Sequence, residues 1–126
     1  MLIAYVTLDE VNLAVAGELA EECGAALFAI YPAEAAQNGS FDAVIYDLDH
    51  IPAEEREQIV AELLTCGPGT PLAVHSYNLD EKVSESLRKR GVAVFRRLDD
   101  ALCCMDWTTN NRDRATREQD LALNAH

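Results

Sequence analysis

The stretch Phe41-Asp-Ala-Val-Ile-Tyr-Asp-Leu-Asp-His-Ile-Pro52 contains an apolar run that stops at two carboxylates, Asp47 and Asp49, just ahead of a proline. Proline suits the first position of a helix, where its missing N–H is no loss. The run Ala43–Tyr46 is continuous rather than alternating. A strand of that kind is covered on both faces, as in a parallel sheet enclosed by helices.

Four further runs share this character: Leu2–Val6, Ala25–Tyr31, Leu72–His75 and Val92–Phe95. The segments between them carry helix signals. Thr7-Leu-Asp-Glu10 matches a capping box, which predicts a helix from about Asp9 to Cys23 with Gly24 ending it. Val11, Val15, Leu19 and Cys23 fall four apart and are expected to form its buried face. After Pro52, the residues Ile59, Val60, Leu63 and Leu64 supply the buried face of a second helix that stops before Gly67-Pro-Gly69. Asn78 is expected to cap a helix with a thin apolar face, Val83 and Leu87, that ends at Gly91. Leu98, Ala101, Leu102 and Met105 predict a last short helix within 98–107. The connection Pro32–Ser40 is shorter than the roughly dozen residues a parallel crossover usually takes, so it has room for one or two helical turns.

Five alternations of strand and helix predict a single α/β domain over residues 1–107, followed by a polar tail at 108–126. The expected architecture is an open, doubly wound, flavodoxin-like parallel sheet of strand order 2-1-3-4-5, with helices on both faces. Function in such sheets gathers at the carboxyl ends of the strands. That rule selects Thr7 and Asp9, Asp47 and Asp49, Ser76, and Arg96 with Arg97.

Composition narrows the function classes. A formal charge of −12 repels phosphate backbones. The basic clusters Arg88-Lys89-Arg90, Arg96-Arg97 and Arg112, Arg114 and Arg117 read as solvated faces or tail, so no nucleic-acid role is expected. The uncharged runs are too short to cross a bilayer, and the N-terminal residues have no basic region or small-residue cleavage pattern. A cytoplasmic protein with no membrane role is therefore expected. Cys23, Cys66, Cys103 and Cys104 lack metal-ligand spacing; Cys23 and Cys66 are expected to be small buried apolar residues, and the adjacent pair a minor redox candidate.

With these positions assembled, residues 1–107 resemble a response-regulator receiver domain of two-component phosphorelays. The resemblance lies in Phe41-Asp-Ala-Val-Ile-Tyr-Asp47 with Pro52 after it, in Ala73-Val-His-Ser76, and in Val92-Ala-Val-Phe-Arg-Arg97. It implies that Asp47 is the phosphoacceptor, Ser76 the switch hydroxyl and Arg97, or Arg96, the counterpart of the family's lysine. It also implies a Mg²⁺ site, for which Asp9, Asp47 and Asp49 are the candidate ligands. Partners would be a histidine kinase, an output protein or a second copy forming a homodimer.

This chain departs from the family where the metal acids normally stand, at Thr7 and Leu8, and leucine cannot ligate Mg²⁺. Its proline comes one residue late, the downstream glycine is missing, and arginine replaces lysine, exchanging a compact ammonium for a planar fork. The expectation is a pseudo-receiver, a non-enzymatic signalling module with weak or absent Mg²⁺ binding and phosphoryl chemistry weakened or lost. The alternative is a small haloacid dehalogenase-like Mg²⁺-dependent phosphatase, which Val44-Ile-Tyr-Asp47-Leu-Asp49 resembles through its Asp-x-Asp; the Gly-Thr usual after the second acid is absent. Flavin or nucleotide binding is disfavoured, because no glycine-rich loop follows the first strand.

Overall fold

The structure, a computed structural model, describes residues 1–32, 41–65, 69–103 and 105–108. Five strands, β1 (Leu2–Val6), β2 (Ala26–Ala29), β3 (Ala43–Asp47), β4 (Leu72–His75) and β5 (Ala93–Phe95), form one sheet. All pairings are parallel and the order is β2-β1-β3-β4-β5, a flavodoxin-like α/β arrangement. The helices are α1 (Glu10–Glu22), α2 (Ala53–Thr65), α3 (Glu81–Lys89) and α4 (Leu98–Cys103), with 3-10 turns at Leu48–His50 and Met105–Thr108.

The two-residue period of the strands sorts their side chains into two cores. Ala4, Val6, Val44, Tyr46 and Val74 pack with Ile59 and Leu63 of α2 and Leu87 of α3. Ile3, Tyr5, Ala43, Ile45 and Ala73 pack on the other face with Ala16 and Ala20 of α1 and with Leu98, Ala101 and Leu102 of α4. The indole N–H of Trp107 closes the second core by donating to the carbonyl of Ala101 at 2.8 Å.

Two helices end alike. Gly24 and Gly91 have positive φ, 77° and 86°, and the amides beyond them reach back five residues, Ala25 to Ala20 and Val92 to Leu87. These are Schellman closures, and the left-handed residue they need is the reason glycine stands there.

Several local expectations need correction. Thr7 does not cap α1: Asp9 does, its carboxylate accepting from the amides of Val11 and Asn12, while the Thr7 hydroxyl is drawn to Asp47. The cap of α3 is Asp80, not Asn78. Pro52 precedes α2, its carbonyl accepting from the amide of Arg56. The four-residue stripe on α1 is divided: Leu19 packs against the core as expected, but Val11 and Val15 are 75% and 51% exposed, and Cys23 is exposed too. Ala16 and Ala20 are the buried residues of the helix, with Leu13 and Leu19 packed beside them. The expected turns within 33–40, Cys66, Cys104 and the tail beyond Thr108 lie outside the described residues.

The orientation of α1 makes opposite demands on its two sides. Ala20→Leu overpacks the core and should lower stability by about 1–3 kcal/mol. Val11→Ser, on the open side, should stay within about 0.5 kcal/mol of the parent. Urea unfolding of both variants checks this.

Candidate functional site

The register places Asp47 and His75, the last residues of β3 and β4, side by side. By strand parity both project to the α1 side of the sheet, as does Tyr5 of β1. Three neighbouring strands thus end in polar groups beneath the first turn of α1, which supplies Asn12.

Asp47 is the centre of this cluster and has no exposed surface. One of its oxygens, Oδ2, accepts from the Thr7 hydroxyl at 2.7 Å and the Asn12 amide at 2.9 Å, and lies 2.7 Å from Nδ1 of His50. Its other oxygen has no hydrogen-bond partner among the described residues; Nε2 of His75 is 3.8 Å from it. Asn12 also donates to the Tyr5 hydroxyl at 2.8 Å, and that hydroxyl shares a 2.8 Å hydrogen bond with His75, whose ring stacks on the tyrosine. Thr7 is saturated as well, accepting from the amide of Asp9 at 3.1 Å.

The 3-10 turn after β3 sends its two polar residues to different places. His50 folds back over Asp47 and brings Nε2 to 3.2 Å from Asp9. Asp49 reaches β4's end, accepting from the Ser76 hydroxyl at 2.6 Å and the Tyr77 amide at 2.9 Å. A neutral imidazole has one N–H, so only the protonated ring donates to both Asp47 and Asp9.

Electrostatics follow from these contacts. Burial pushes the Asp47 carboxyl up, but hydrogen bonds from His50 and Thr7, the adjacent His75 and the Asn12 amide outweigh it, leaving the group below its ordinary value. His50 is raised, first by its hydrogen bond to Asp47, against a smaller desolvation effect, with Asp47, Asp9 and Asp49 adding attraction. His75 is lowered by burial, only partly offset by Asp47 and Asp49. Burial, then the charge of Asp47, hold the Tyr5 hydroxyl far above its usual range.

The residues selected from the sequence are therefore divided. Asp47 and Asp9 are linked through His50, while Asp49 and Ser76 form a separate pair. Arg97 is in neither, since its guanidinium donates to Asp99 at 3.0 Å and is largely exposed. Mg²⁺ needs oxygen ligands converging on one point. Here Asp9 caps α1, Asp47 is enclosed by its donors and Asp49 is held at Ser76 and Tyr77. As held, these three acids do not converge on one point, and among the described residues no group of three or more His, Cys, Asp or Glu is placed to hold a metal ion. Asp47 and Asp49, two residues apart, likewise have separate partners.

Tyr5, Asn12, His50 and His75 belong to the cluster, and sequence reasoning gave none of them a role in it. For His75 the signal was available: it ends a strand with the same parity as Asp47. For His50 no periodicity helps, because a 3-10 turn decides its direction. No family model matches the chain, and no curated protein or solved structure does either.

The two imidazoles should titrate on opposite sides of the ordinary histidine value. His50, raised in the folded state, contributes stability that is full below its unfolded pKa of about 6.5 and is lost as pH rises through its folded value. Asp47, lowered, contributes stability present above about 3.9 and lost as pH falls through its folded value. His75, held neutral, favours folding above about 6.5 and loses that contribution as pH falls. NMR titration of the imidazole carbons should find His50 above and His75 below that value, and Asp47→Asn should bring His50 down towards it.

Proposed function

We propose that this chain is a pseudo-receiver: a receiver-like signalling module of the two-component type that works through protein–protein contact and has lost phosphoryl transfer. The observation that supports this reading is the state of Asp47. At the strand end where a receiver offers its phosphoacceptor to solvent, this carboxylate is fully buried, with Thr7, Asn12 and His50 gathered on one oxygen.

A nucleophilic carboxylate has to meet its phosphoryl donor in line, and charge developing on the transferred group needs a cation and hydrogen-bond donors. Asp47 is screened by His50, Ser76 is bonded to Asp49, and Arg97 to Asp99. With Thr7 standing where the family has an acid, the pocket has in place of a metal-binding acid a hydroxyl that donates to the Asp47 carboxylate and holds the loop after β1 to β3. The reading assigns no step to Mg²⁺ and no enzymatic activity to the chain.

The fold class is compatible with many functions, so the receiver assignment rests on the sequence resemblance together with this site. The module would act in the cytoplasm, with a histidine kinase, an output protein or a second copy as partner. Among the described residues no helix is long and apolar enough to cross a membrane.

Intact-mass spectrometry after incubation with acetyl phosphate and Mg²⁺ tests the proposal. The expected result is an unmodified protein. A phosphoryl adduct that disappears in Asp47→Asn, with the fold retained by circular dichroism, would overturn it.

A further inference from the structure

The unpartnered side of α1 has a composition of its own. Val11 and Val15, one helical turn apart, are 75% and 51% exposed, and Leu8 in the preceding loop is 50% exposed. Leu8, Val11, Asp9, Glu10 and His50 together line a shallow depression at the N-terminal end of the helix. Continuing along the same face at helical spacing, Val15 is followed by Glu18 and Glu22, both exposed. The surface is thus apolar at one end and anionic around it.

No positive charge offsets those acids within the helix. The first lysine or arginine of the entire chain is Arg56, so β1, α1, β2 and β3 contain none, and all 10 such residues lie from Arg56 onward. The basic groups of the folded domain gather around α3 and β5, at Lys82, Arg88, Lys89, Arg90, Arg96 and Arg97. In the sheet order β5 is the edge opposite β2, and α1 packs against β2.

We infer that the Leu8–Val11–Val15 face of α1 is a docking surface for a basic amphipathic helix of a partner protein. The inference rests on the binding-module reading above and names the chemistry of its partner. Apolar side chains of the partner at helical spacing would cover Leu8, Val11 and Val15. Its lysines and arginines would lie against Glu10, Glu18 and Glu22.

Charge selects this occupant over the others. Two copies pairing symmetrically through α1 would set these acids against their equivalents. The exposed side of α3 carries both signs, Glu81 and Glu85 with Lys82, Arg88 and Lys89, and no large hydrophobic residue of that helix is among those exposed, so it offers nothing to cover the valines. An anionic lipid surface would be repelled by the same carboxylates.

The test titrates the full chain at 0.15 M salt with a synthetic leucine–lysine amphipathic helix. A control peptide has the same lysines with serine at every leucine. Expected are saturable one-to-one binding of the first peptide only, chemical-shift changes centred on Leu8, Val11 and Val15, and a loss of affinity of roughly tenfold or more in Val11→Ser/Val15→Ser. Equal binding of both peptides, or affinity unchanged by the double substitution, would overturn the proposal, since either would mean diffuse attraction to a polyanion. Concentration-dependent dimerisation abolished by the same substitution would overturn it in favour of a second copy. These outcomes are independent of the mass experiment: phosphorylation of Asp47 would remove the pseudo-receiver reading without moving the peptide's binding site.

Discussion

The arrangement of the carboxyl edge depends on one buried carboxylate. Asp47 ends a strand that is buried along its whole length, and an ionised group there is tolerated only when hydrogen bonds replace the water it has lost. Those bonds come from the loop after β1, the first turn of α1 and the turn after β3, through Thr7, Asn12 and His50. One side chain therefore joins the end of β3 and the turn after it to Thr7 and Asn12, which are remote in sequence. Removing a single donor would leave part of a buried charge uncompensated.

That tie also explains how the local sequence signals are redistributed. Thr7 looks like a helix cap, but its hydroxyl proton is more strongly held by an anion than a neutral cap would require, and Asp9 takes over the capping. His50 then spans the capping acid and the buried acid, so the N-terminus of α1 is connected to β3 twice, by Asn12 from within the helix and by His50 from outside it. The second pair, Asp49 with Ser76 and the Tyr77 amide, does the same between β3 and β4. The loops at the carboxyl edge are thus held by side-chain hydrogen bonds.

Packing on the α1 side has a consequence for the surface. Small side chains, Ala16 and Ala20, meet the sheet beneath them, and the larger Val11 and Val15 are turned outward. An apolar surface in a strongly acidic part of the chain is a constraint on partners, since it combines burial as a driving force with charge as a filter.

Much of the fold was legible in the chain. Continuous apolar runs separated by helix signals specify buried parallel strands, and β1 and β4 coincide with Leu2–Val6 and Leu72–His75. Glycines placed for left-handed closure mark the ends of α1 and α3. The sequence alone also put Asp47, Asp49 and Ser76 at the carboxyl edge of the sheet, because strand ends follow from strand positions. Tertiary structure alone decided which face of α1 is buried, because spacing cannot distinguish a stripe of valines that packs from one that is displaced by alanines fitting more closely. It also decided the partners of each polar group. Hydrogen bonds to Asp47 depend on strand register and on the direction of a 3-10 turn, and neither is encoded by the residue types at the positions concerned.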